Sequence, residues 1–94
     1  MPTYILLSSL TAQGVQTLKS NPARLREVNS DVEELGARVV HQWATLGPFD
    51  FVNVVEAPDA ETIARVSVAL GARGSAKLQT LTALTIDEFL SALA

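Results

Sequence analysis

Residues 37–57 read ARVVHQWATLGPFDFVNVVEA, and this stretch decides the fold. Two runs rich in β-branched and aromatic residues, 37–46 and 50–57, flank Gly47-Pro48-Phe49. A glycine and a proline between two such runs signal a hairpin. Outward from it, Gly36 stands where a helix C-terminus is capped, and Pro22 to Leu35 read as that helix. Leu25, Val28, Val32 and Leu35 recur at steps of three and four and share one face. Arg24, Arg26, Glu27, Asp31, Glu33 and Glu34 then supply a solvated remainder. An earlier helical run, Ala12 to Ser20, opens on Thr11 as N-cap, is weakened by Gly14 and is interrupted at Asn21-Pro22. Residues 3–10 form a short apolar strand ahead of it.

Downstream, Ala57-Pro58-Asp59 ends the third strand and offers Asp59 as a cap. Ile63, Val66 and Leu70 stripe the next helix, which Gly71 and Gly74 close. Residues 75–84 are a fourth strand, and Thr85 caps a last short helix bearing Ile86, Phe89, Leu90 and Leu93. The order β-α-β-β-α-β plus a terminal helix predicts an α+β, ferredoxin-like fold with a four-stranded antiparallel sheet. Residues 1–94 are expected to be one domain.

Composition narrows function. Seven basic against ten acidic residues leave a charge of −3, which argues against a nucleic-acid or anionic-membrane partner. Hydrophobic residues reach 48% and charged residues 18%, so the chain has the makings of a core. There is no cysteine, and one histidine provides no cluster of His ligands; no metal or cofactor is expected. The first residues have no basic segment ahead of an apolar run, and no stretch approaches ~20 apolar residues. A cytoplasmic protein is expected.

Both faces of the sheet are partly apolar. Ile5 and Leu7 oppose Tyr4, Leu6 and Leu10; Val52 and Val54 oppose Phe51 and Val55; Ala76 and Leu78 oppose Leu81 and Ala83. Two main helices cover one face only. At ~25 cal/mol per Å² of apolar area, leaving the other wet forfeits several kcal/mol. A second copy of the chain, sheet against sheet, is the expected cover.

The segment Trp43-Ala44-Thr45-Leu46-Gly47-Pro48-Phe49-Asp50-Phe51-Val52 resembles the signature of the GYD-domain family, named for a Gly-Tyr-Asp motif. Pro2-Thr3-Tyr4-Ile5, Val55-Glu56-Ala57-Pro58-Asp59 and the passage from Ala69 to Ala83 agree with it in order and spacing. Trp43 stands where tyrosine is usual and Phe49 replaces the tyrosine of the name, whereas Gly47 and Asp50 are kept. The resemblance implies a dimeric α+β barrel. It implies no particular activity, since the wider fold group holds cofactor-free monooxygenases, haem-handling enzymes, isomerases and plain binding proteins.

The leading expectation is a homodimer that binds a small apolar or aromatic molecule between sheet and helices, with Trp43, Asn53 and Tyr4 as ligand-binding residues. A cavity of ~300 Å³ or more would support it. The alternatives are a cofactor-independent oxygenase or isomerase, with His41 or Asp50 moving a proton, and a structural or regulatory dimer without ligand. Plainer readings stand beside each: an interface tryptophan next to a solvated histidine, turn chemistry at Asp50, and unusual backbone angles at Gly47. Asn53, polar in an apolar strand, needs partners if buried. Gly71-Ala72-Arg73-Gly74-Ser75 leaves a helix rather than opening one, so it reads as a turn and not a phosphate loop.

Hairpin register separates these readings. A three-residue loop, the expected one, pairs Leu46 with Asp50 and sets Trp43 opposite Asn53 and His41 opposite Val55. Pairing Thr45 with Asp50 instead sets Trp43 opposite Val52 and His41 opposite Val54, with Asn53 on the other face beside Gln42.

Overall fold

A computed structural model describes residues 1–94. Its order is β1 (Thr3–Leu10), α1 (Ala12–Ser20), α2 (Arg24–Glu34), β2 (Arg38–Ala44), β3 (Phe51–Glu56), α3 (Ala60–Gly71), β4 (Ala76–Ala83) and α4 (Ile86–Leu93). The four strands form one antiparallel sheet in the order β2-β3-β1-β4. This is the ferredoxin-like arrangement, with its first helix divided in two at Asn21-Pro22. Pro22 lies in the turn ahead of α2, where Arg24 N–H donates to Asn21 O at 3.0 Å, so α2 starts two residues later than the proline suggests.

Local chemistry sets the helix starts. Thr11 Oγ1 accepts from Gly14 N–H, and Asp59 Oδ1 accepts from Thr62 N–H at 2.8 Å. Thr85 and Glu88 form a reciprocal capping box at the start of α4. Gly14 answers a second demand. A Cβ there would stand 1.9 Å from the Ser75 carbonyl oxygen, so α1 approaches the strand-β4 entry closely only because this residue has no side chain.

The core lies between the helices and one sheet face. Tyr4, Leu6 and Val55 meet Val32 of α2 and Ile63 and Val66 of α3. On the other face, Ile5, Leu7, Val52 and Val54 are half-buried, and Trp43 and Leu81 are 52% and 45% exposed. The alternation expected of β1, β3 and β4 holds.

The register of β2 corrects the expected three-residue loop. Thr45 N–H donates to Asp50 O at 2.8 Å, Ala44 faces Phe51, Trp43 faces Val52 and His41 faces Val54. Beyond His41 the register shifts at Val40, and Val39 faces Val55. Two constraints fix this. Asp50 is tied to the end of β1, its N–H donating to Ser8 O at 2.8 Å and its carboxylate accepting from Leu10 N–H at 2.7 Å. Ala37 and Val39 must also reach the core, and only an extra residue at Val40 allows this once Gln42 and Ala44 point the same way. Trp43 and Asn53 therefore lie on opposite faces, and the wall of Trp43, Asn53 and His41 does not form.

Candidate functional site

The helix face of the sheet carries a half-open cleft of about 130 Å³ beneath α1, α2 and α3. It is smaller than the ~300 Å³ at which drug-sized ligand sites begin. Leu10, Leu18, Leu25, Val28, Phe51, Leu70 and Leu78 make its apolar wall. Its polar wall includes Arg24, Gln42, Asn53 and Arg73. A hollow of about 30 Å³ continues it deeper, past Asn29 and Val32.

Two arginines are set into this wall by acids behind them. Arg73 Nη2 donates to Asp31 Oδ2 at 2.6 Å, and Arg24 Nη1 donates to Glu27 Oε2 at 2.9 Å and lies 4.0 Å from Asp31. Neither Asp31 nor Glu27 lines the cleft, so the wall presents two guanidiniums and no carboxylate. Three amides gather here, Asn29 from α2, Gln42 from β2 and Asn53 from β3. Gln42 and Asn29 bond reciprocally at 3.2 Å in each direction, while the Asn53 carboxamide opposite Gln42 makes no hydrogen bond. Asn53 Oδ1 and Arg73 Nη1 are both buried without a protein partner. Native proteins pair the great majority of such atoms, so two in one cleft call for an explanation.

The remaining candidates fall elsewhere. Tyr4 is a core residue, 5% exposed, and lines no part of the cleft. His41 stacks on Trp43 on the open face, with ring centroids 5.2 Å apart and planes 17° from parallel. Asp50 ties the hairpin to β1, Gly47 holds φ +139°, and Phe49 O accepts from Thr45 Oγ1 at 2.6 Å. His41 and Asp50 are thus not brought together, and neither faces the cleft. Of the three residues expected to bind ligand, only Asn53 lines it. Arg24 and Arg73 escaped the sequence reading, one as part of a solvated helix face and the other as a turn residue. The fold joins Arg73 to Asp31 across 42 positions, a distance no local pattern spans.

The open face is built from β2, β3, β1 and β4, and α4 carries further exposed apolar side chains. Ile86, Phe89, Leu90 and Leu93 are 49–72% exposed, and every residue from Leu84 to Ala94 is exposed. On this face Arg38 pairs with Glu56, and the guanidinium's hydrogen bond holds the Glu56 carboxyl below its ordinary range. No helix is long and apolar enough to cross a membrane.

The hairpin from Trp43 to Val52, with its turn around Gly47 and Asp50, matches the GYD domain model together with the rest of residues 4–93. The chain belongs to the GYD-domain family. It is 52% identical, over 99% of each chain, to a Thermus thermophilus protein named glutamine synthetase and cystathionine beta-lyase binding protein.

Proposed function

We propose that this GYD-domain protein is a cytoplasmic binding protein that pairs with a second copy through its open sheet face and docks, as a homodimer, on larger enzymes. The observation that carries the pairing is α4. An eight-residue helix is marginal on its own in water, and this one buries no side chain in its own chain. A second copy laid face to face covers Trp43, Leu81 and the apolar side of α4 together. The rim carries Arg38, Glu56 and Lys77, charges of both signs that a two-fold related copy can match. Docking on glutamine synthetase or cystathionine β-lyase rests on the likeness to the Thermus protein.

Two measurements test this. Sedimentation equilibrium at micromolar concentration should return twice the 10.0 kDa chain mass. Immobilised protein should retain purified glutamine synthetase or cystathionine β-lyase from its own source. A monomer with no retention of either enzyme refutes the reading. A second reading, a small molecule held between sheet and helices, is favoured by the cleft and by its two unpaired polar atoms.

A further inference from the structure

We infer that the cleft under α1 and α2 binds a small 2-hydroxy carboxylate with a short branched alkyl tail. The inference rests on the small-molecule reading just given and names its ligand class. Arg73 Nη1 is a buried cationic donor without a partner, and a carboxylate is the acceptor that pairs with it most strongly. Arg24, held by Glu27, brings a second guanidinium to the same wall. Asn53 Oδ1 is a buried acceptor that needs a donor, and a hydroxyl supplies one. Amino acids fit less well, because the nearest carboxylates, Asp31 and Glu27, are already engaged by Arg73 and Arg24 and stand outside the lining, leaving an ammonium no free carboxylate. Leu18, Leu25 and Leu70 receive the alkyl tail, and a cleft of about 130 Å³ suits a tail of a few carbons.

Isothermal titration calorimetry at pH 7 tests this with four five-carbon probes: 2-hydroxy-3-methylbutanoate, 3-methylbutanoate, 3-methylbutan-1-ol and valine. The hydroxy acid should bind tightest, with 3-methylbutanoate about 3- to 10-fold weaker for want of one hydrogen bond. Asn53→Leu should erase that difference while keeping or raising the melting temperature, since it removes an unpaired polar group from an apolar strand. Arg73→Lys keeps a charge beside Asp31 but loses the guanidinium fork, and should weaken both acids at least 10-fold. Binding of the alcohol but neither acid overturns the anion assignment and leaves the cleft as an apolar site. Binding of none of the four overturns both the assignment and the small-molecule reading. Valine binding as tightly as the hydroxy acid, or affinities that neither variant changes, also overturns the proposal.

Discussion

Replacing Gly14 with alanine sets two rules against each other. In an ordinary helix interior the change stabilises by up to ~1 kcal/mol, because alanine loses less backbone entropy. Here the new Cβ would stand 1.9 Å from Ser75 O, and α1 and the β4 entry must part by about 1 Å to admit it. That seam is held by Thr11 N–H donating to Ser75 O at 3.0 Å and Thr11 Oγ1 donating to Gly74 O at 2.7 Å. Overpacking costs ~1–3 kcal/mol, and each strained hydrogen bond adds up to ~1 kcal/mol. Net of the helix gain, Gly14→Ala should destabilise by about 2 kcal/mol. For a chain of this size that lowers the melting temperature by ~8–16 °C, read by far-ultraviolet circular dichroism. Gln16→Ala, exposed in the same helix, is the control and should change stability by less than ~0.5 kcal/mol. A Gly14→Ala protein that melts at or above the wild-type temperature would refute the close-approach argument.

Three further outcomes are expected. Trp43→Asp places a charge on the open face at edge strand β2 and should convert the proposed dimer to monomer in sedimentation equilibrium with little loss of helicity; an unchanged dimer would move the interface elsewhere. Gly47→Val meets no neighbour within 4 Å but must adopt φ +139°, so it should cost ~1–3 kcal/mol of backbone strain without altering any retention of glutamine synthetase or cystathionine β-lyase; lost retention at unchanged melting would make the hairpin a binding element. Acid should weaken the fold: Thr62 hydrogen bonds lower the Asp59 pKa and Thr85 hydrogen bonds lower that of Glu88, so their contribution is complete above the ordinary carboxylate range and disappears as pH falls through the lowered values. A melting temperature flat between pH 6 and pH 2 would contradict this.

What the sequence made legible was local. Thr11, Asp59 and Thr85 each cap a helix because a hydroxyl or carboxylate reaches an N–H two or three residues on, and that chemistry needs no distant partner. The two-faced alternation of β1, β3 and β4 follows from a period of two. Register in β2 was not legible. Val39 and Val40 are identical neighbours, and nothing in either says which one bulges; Asp50's bonds to β1 and the core's claim on Ala37 and Val39 decide it. Gly14 was read as a weak helix residue because the Ser75 carbonyl it admits lies 61 positions away. The cleft was legible at one point only, Asn53, as a polar residue in an apolar strand.

The bulge at Val40 sorts chemistry between the two sides of the sheet. Below it, the β2–β3 pairing sends Trp43 and His41 to the open face and Gln42 and Asn53 under the helices. With the expected three-residue loop, Asn53 would instead have shared a face with Trp43. Pairing of β3 with β1 holds Asn53 on the helix side whatever the register of β2, and the observed β2 register sends Trp43 to the opposite, apolar face. Asn53 lines the same cleft as Arg24 and Arg73. One hairpin therefore contributes to two surfaces of different character: the apolar open face through Trp43, and the amide-lined cleft through Gln42 and Asn53. Because the two share a strand but no side chains, a variant at Trp43 and a variant at Asn53 should act independently, each moving its own assay and leaving the other unchanged.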